Sequence, residues 1–186
     1  MQSLTGQLLI AMPQMEDPRF ARSVVYLFAH SEADGAMGII VNKIIEDLSE
    51  DQLYAELKFA PAVRPPPPRP VHFGGPVQLG LGFVLHSLDY RETGTAEIAD
   101  GFALTTTLGI LSAMSRGEGP RQRLLALGYA GWAPAQLEAE IQANGWLLVA
   151  ADTGLVFDAD DDNKWSRALA KLGVKPEMLS GGAGRA

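Results

Sequence analysis

The sequence predicts one α+β domain with a mixed, mostly antiparallel β-sheet. Three observations carry this. The chain has 186 residues and is 47% hydrophobic and 20% charged, ordinary usage for a single globular core. Its early apolar runs, SVVYLFAH (23–30) and AMGIIVNK (36–43), are hydrophobic at almost every position, so both faces of the sheet must be covered, and helices packed on it satisfy this. Strand and helix signals also fail to alternate regularly, which argues against a doubly wound parallel fold.

The elements follow in order. Residues 7–13 (QLLIAMP) form a short apolar run closed by proline. The runs 23–30 and 36–43 flank SEADG (31–35), whose Asp34-Gly35 is a turn dipeptide, so they read as a hairpin with a longer loop. A short helix is expected over 49–57, because Ser49 with Gln52 fits a capping box and Leu53 with Leu57 forms an i, i+4 pair. Residues 61–70 (PAVRPPPPRP) hold six of the twelve prolines and read as an exposed loop of polyproline II.

Strands resume at 71–73 and at 82–87 (GFVLHS), joined by GGPVQLGL, with further strands near 97–99 and 102–105. Residues 107–115 carry Leu108, Leu111 and Met114 at helical spacing. A strand over 123–129 leads to Pro134, which suits the first position of a helix holding Leu137 and Ile141. Residues 146–150 and 155–157 read as closing strands. The last helix, 161–172, places Trp165, Ala168, Leu169 and Leu172 on one face. The tail, 174–186, is expected to be flexible. No repeat or linker divides residues 1–186.

Charge and composition exclude several functions. The net charge is −7, with 7 basic and 11 acidic residues in 1–93 and 8 and 11 in 94–186. Nucleic-acid affinity needs clustered Lys and Arg, so direct binding to DNA is disfavoured, as is attraction to anionic membranes. The chain has no cysteine, hence no disulfide, thiolate metal site or cysteine nucleophile. The first twenty residues lack a basic region followed by a long apolar one, and no apolar run approaches the ~20 residues that span a bilayer. A cytoplasmic protein is expected.

Standard chemical motifs are missing from the sequence or broken at particular residues. His30, His72 and His86 show no metal-ligand spacing, so no metal and no cofactor are expected. GxSxG and GxxxxGK[ST] are absent. Gly80-Leu81-Gly82 starts like a dinucleotide fingerprint, but Leu85 holds the third glycine position and a strand follows. Asp158, Asp160 and Asp162 mimic a calcium loop, yet Asn163 stands where glycine is needed and Leu169 where a bidentate Glu belongs. Those acids read better as the cap of the last helix. Arg64, Pro67 and Pro70 match an SH3-ligand spacing that any proline run produces, and a stiff surface loop explains it.

One neighbourhood is a candidate binding site: Asn42, Lys43, Gly74, Gly75, Pro76, His86 and Ser87. Adjacent glycines can expose backbone N–H groups as an anion nest, and Lys43 supplies charge. His86 by itself reads more readily as a core or edge histidine satisfied by a backbone partner than as an acid, base or ligand contact.

The series LLIAMPxMxDPxFxxSVVYL (8–27), GAMGIIVNK (35–43), GGPV (74–77), GFVLHS, LGYAGW (127–132) and QLEAEI closely resembles the AlgH/YqgE family of bacterial proteins over residues 5–173. The resemblance implies coiled, branched β-sheets in a flattened, barrel-like form flanked by helices. It implies no catalytic residues, and it carries a transcriptional-regulator label. With the acidic charge, that label points to action through a protein partner, and so to a non-enzymatic regulatory or protein-binding role. The alternative is a small-molecule or anion-binding protein, or an enzyme, using the neighbourhood just named. Three departures stand out: Gly80-Leu81-Gly82 replaces an acid–Arg pair, Ile44 replaces a proline, and Lys164 replaces an arginine before the tryptophan of the last helix.

Overall fold

Fifteen elements build the architecture seen in the computed structural model, which describes residues 3–64, 67–99, 101–175 and 179. The strands are β1 (Gln7–Ala11), β2 (Val24–Ser31), β3 (Gly35–Ile40), β4 (Ile44–Ser49), β5 (Pro70–Phe73), β6 (Val77–His86), β7 (Ala96–Ala99), β8 (Phe102–Thr105), β9 (Arg123–Trp132) and β10 (Trp146–Ala150). The helices are α1 (Glu50–Glu56), α2 (Leu108–Ser115), α3 (Gln136–Gln142), α4 (Thr153–Val156) and α5 (Asp161–Lys171). Among the described residues, no helix is long and apolar enough to cross a membrane.

The expected α+β class holds. The strands run β10-β1-β2-β3-β9-β6-β8-β7, all antiparallel along this path, and curl into a half-barrel flanked by helices. Curling brings the chain just before β1, the second strand of the path, against β7 at its far end: a Cβ on Gly6 would lie 2.6 Å from the Ala99 Cβ. The sheet also branches at β9. Its C-terminal part pairs with β3, while Ala126 and Leu127 pair in parallel with β5, which in turn pairs with β4. The opposite edge of β9 carries β6.

The all-apolar strands are explained by two-sided burial. Leu8, Ile10, Val24 and Tyr26 point into one cluster with Trp165, Ala168 and Leu169 of α5. Their neighbours Leu9, Ala11, Val25 and Leu27 point into a second, with Leu137 of α3 and both Trp132 and Trp146. A third cluster seats Tyr54 of α1 and Ile110, Leu111 and Met114 of α2 on Val71, Val84 and Leu125. Along residues 8–11 and 24–27 period-2 alternation therefore serves two cores, and neither face of these strands is left to solvent.

Several expectations were met locally and others were not. The α1 capping box is present: the Ser49 hydroxyl accepts from the Gln52 N–H, and the Gln52 side chain accepts from the Ser49 N–H. Residues 155–157 are not a strand. Asp152 caps a single helical turn there, its carboxylate accepting from the Leu155 N–H at 2.8 Å. Pro134 does not open α3. Ala135 follows it in left-handed conformation (φ 63°), so the helix starts at Gln136. Of the α5 acids, Asp161 and Asp162 lie in the first turn at the positive end of the dipole, as expected, but the N-cap residue makes no cap bond. Asp160 accepts no backbone bond at the N-cap, and its carboxylate takes the Asn163 amide instead. β4 was not anticipated, because IIEDLS is half polar and pairs irregularly, touching β5 only at its two ends.

Residues 61–64 and 67–70 of the proline run form no helix and are mostly exposed, and Pro70 opens β5. Pro65, Pro66 and most of the expected tail (176–178 and 180–186) lie outside the described residues.

At the branch the backbones come too close for side chains. A Cβ on Gly74 would meet the Gly128 carbonyl oxygen at 2.2 Å, and one on Gly75 would meet the Tyr129 carbonyl carbon at 2.2 Å. Gly75 also has φ 148° and Gly128 φ 74°, with the Gly75 carbonyl oxygen 2.4 Å from where a Gly128 Cβ would stand. Gly75→Ala is thus expected to lower stability by at least about 2 kcal/mol in denaturant unfolding, through backbone displacement and strain. An exposed control, Gly80→Ala, has open space around its Cβ and should change stability far less.

Candidate functional site

The residues anticipated from sequence are spread over three places, and most of them hold backbone. Asn42 clamps the entry to β2: its side-chain oxygen accepts from the Val24 N–H at 2.7 Å, and its amide donates to the Arg22 carbonyl at 2.9 Å. Lys43 follows β3, with its ammonium 3.3 Å from the Pro18 carbonyl; burial pushes its pKa down against the opposing pull of Asp17. Gly74 donates to the Leu127 carbonyl at 2.9 Å, and its own carbonyl accepts from Ile40, so this glycine's amide is spent on the sheet.

His86 is fully buried at the far end of β6. Its Nδ1 faces the Ser87 carbonyl at 2.8 Å, which can only accept, so Nδ1 carries the proton. Nε2 is then the acceptor for the Thr105 hydroxyl at 2.9 Å, and Thr95 continues the chain. Burial pushes the imidazole pKa down, and the ring is satisfied as a neutral group. Ser87 donates to Asp89 in its own turn and also bonds the backbone of Gln122, just before β9.

Lys43 and His86 do not converge. They are separated by β5 and β9 laterally and by four residues along β6 (Gly82 opposite Leu127, His86 opposite Arg123). Strand spacings of about 4.8 Å and rises of about 3.3 Å put their backbones on the order of 15–20 Å apart. The cavities lined by Lys43 do not include His86.

The GGPV segment does lead to a cleft, through Pro76 and Val77. This cleft has a volume of about 460 Å³, within the range of ligand pockets. Trp132 at the end of β9 and Trp146 at the start of β10 form its floor, 6% and 2% exposed. Their rings meet edge to face at 5.9 Å, and Phe20 stands edge to face on Trp146 at 5.9 Å. Met15 and Phe20 wall one side, and Gln136 and Glu140 of α3 the other.

Glu140 organises this floor. One oxygen, Oε2, accepts from both indole N–H groups, at 2.9 Å from Trp132 and 2.7 Å from Trp146, while Oε1 accepts from Gln136 at 2.9 Å. At the rim, Arg19 pairs with Asp17 at 2.7 Å, holding that carboxyl below its usual range, and lies over the Phe20 ring at 5.8 Å. Every polar group at the floor is thereby committed to orienting a ring. The arrangement suits seating an apolar group; it offers no free nucleophile or acid–base pair.

Sequence reading also missed two buried ionic groups. Arg123 of β9 reaches Glu50 of α1 at 2.7 Å, and the Tyr54 hydroxyl donates to Glu50 at 3.1 Å. Burial disfavours the Arg123 cation, but Glu50 reverses this and raises its pKa; burial and Glu50 together raise that of Tyr54. Around α5, Asp161 accepts from His72 Nε2 at 3.0 Å and from the Lys164 ammonium at 2.7 Å. Lys164, 1% exposed, also donates to the Val41 carbonyl at 2.9 Å. Burial tends to raise the Asp161 pKa, yet the His72 and Lys164 contacts hold it below the usual range. The available signal was Asp161-x-x-Lys164 at helical i, i+3 spacing.

A model of the AlgH-like family matches residues 8–177. The chain belongs to the AlgH-like family. It is 54% identical over 190 residues to a UPF0301 protein of Methylobacterium sp. (strain 4-46), covering 98% of this chain and 90% of that one. A UPF0301 protein of Rhodopseudomonas palustris is 52% identical, covering 98% and 89%. Among solved structures, the AlgH protein from Pseudomonas aeruginosa is similar with a TM-score of 0.77 and 39% identity, over 100% of this chain and 97% of that one. A Corynebacterium diphtheriae protein at 21% identity and TM-score 0.73, covering 97% and 93%, shares the fold.

In this AlgH-like chain, Glu140→Ala leaves two largely buried indole donors unpaired. A loss of about 2–4 kcal/mol in urea unfolding is expected, with a shifted tryptophan emission in the folded protein, whereas Glu140→Gln, which keeps one acceptor oxygen, should lose less.

Proposed function

We propose that this chain is a non-enzymatic, cytoplasmic binding protein that acts through a protein partner, and that the partner docks an apolar side chain in the Trp132–Trp146 cleft. The carrying observation is the use of Glu140 by both indoles, which fixes two large rings as a rigid floor. Rigid aromatic surface gives contact area at low entropic cost, and tryptophan is among the residues that dominate binding energy.

The chemistry of the partner follows from charge. The chain carries −7, and the charged residues lining the cleft, Asp17, Arg19 and Glu140, leave it one negative charge in excess. A partner segment with an aromatic or aliphatic anchor next to Lys or Arg is complementary to it. The same charge makes direct contact with an operator unfavourable. A regulatory role is therefore exerted through that partner and not by the chain reading nucleic acid itself.

The test is selection from a random peptide library on the purified protein. Enriched peptides should carry an apolar anchor beside a basic residue, and Phe20→Ser, which removes the half-buried wall, should weaken them at least about tenfold. No enrichment, or enriched peptides that bind Phe20→Ser equally well, would contradict the reading.

A further inference from the structure

A second cavity, of about 180 Å³, lies on a different part of the molecule. At about 30 Å³ per water it has room for about six waters, or for a small solute. Four separate stretches of chain enclose it: Glu50 at the start of α1, Arg69 to His72 at β5, Arg123 to Leu125 at β9, and Val156 to Asp161 between α4 and α5. This is where the two buried ionic groups face a common space.

The hydrogen-bond capacity around the cavity is unbalanced. Each carboxylate facing it is already matched. Glu50 takes Arg123 and Tyr54, and Asp161 takes His72 and Lys164. Asp158 takes Arg167 at 3.0 Å and the Asp160 N–H. On the donor side, Arg69 is tied only through its backbone carbonyl, which accepts from the Glu50 N–H at 2.9 Å; its half-buried guanidinium has no ion pair among the described residues. His72, 6% exposed, has its Nδ1 buried with no partner. The carboxylates are matched, then, while the Arg69 guanidinium fork is not; the His72 ring donates to Asp161 through Nε2, and its Nδ1 lone pair also lacks a partner. Buried polar atoms are rarely left unpaired, and when they are a missing partner is the first explanation.

We infer that this cavity binds a small oxyanion, a carboxylate or phosphate, held by the Arg69 guanidinium against the Arg123 side of the pocket. A planar guanidinium fork matches two oxygens of either group. Leu124, Leu125, Val156 and Phe157 supply low-dielectric walls, which strengthen such a contact relative to water. The fixed pairs serve as scaffold: Arg123–Glu50 and Lys164–Asp161 set the walls without leaving a surplus negative charge at the cavity.

The experiment titrates the full chain at low ionic strength with sodium phosphate and, separately, sodium acetate, against sodium chloride at matched ionic strength. Binding is followed by calorimetry and by amide shifts of Leu124, Leu125 and Ala159. At least one oxyanion should saturate and move those amides where chloride does not. Saturation by phosphate alone, by acetate alone or by both identifies the source and supports the site. Arg69→Ala should weaken binding at least about tenfold, and Arg69→Lys, which keeps the charge but not the fork, should fall between. Phe20→Ser, on the other cleft, should leave the titration unchanged. No saturation by either anion, or saturation unaltered in both Arg69 variants, overturns the proposal.

Discussion

The structure depends on one steric constraint: three glycines that let two backbones touch at β9. Gly74 and Gly75 leave β5 and cross over Gly128 and Tyr129 at separations that no Cβ could occupy. Because they do, β9 can hold β3 beyond the crossing and β5 before it on a single edge. Ile40 completes the junction by donating to the Gly74 carbonyl, and Gly74 donates to Leu127. Remove that contact and the β4–β5 branch loses its anchor, along with the walls that Arg69 and His72 give to the smaller cavity. The crossing also aims Pro76 and Val77 into the aromatic cleft.

Charge is used in two contrasting ways on this frame. At the cleft, a single carboxylate is spent on neutral donors, and the result is a rigid apolar floor. Near α5, burial of Lys164 and Asp161 is tolerated because the pair is short and the ammonium has a second acceptor in the Val41 carbonyl. Such pairs contribute little net stability after desolvation, while breaking one leaves an uncompensated buried charge. Lys164 thereby ties α5 to the chain just after β3. His72 ties the same helix to β5 through Asp161, so Asp161 and Lys164 together link α5 to β5 and to the chain after β3.

Much of the architecture was legible in the sequence because local signals agreed with the global fold. Residues 23–43 are apolar on both faces and joined by Asp34-Gly35, so the hairpin and its two-sided cover followed directly; Ser49 and Gln52 gave α1. The failures have physical causes. Residues 155–157 are as apolar as a strand, and only the Asp152 cap, a contact between side chain and backbone, makes them helical. β4 is too polar and too loosely paired to announce itself. Of the proposed binding residues, Pro76 reaches the aromatic cleft, while Asn42 and Lys43 line other cavities beside α5. Glycine pairs look the same in sequence whether they expose amides or admit a crossing strand, and Gly74 has its amide in the sheet. The cleft itself draws Phe20, Trp132, Glu140 and Trp146 from four places along the chain, and no spacing rule joins them.

The crossing at β9 organises the molecule on both sides of the branch. Native-state hydrogen exchange of the amides of Ile40, Phe73 and Gly74 tests it most directly. If the junction is the keystone, these three should exchange only through global unfolding, with opening free energies equal to the stability measured in denaturant. Exchange through a local opening at clearly lower free energy, with β1, β2 and β10 still protected, would show that the branch is peripheral and contradict the account.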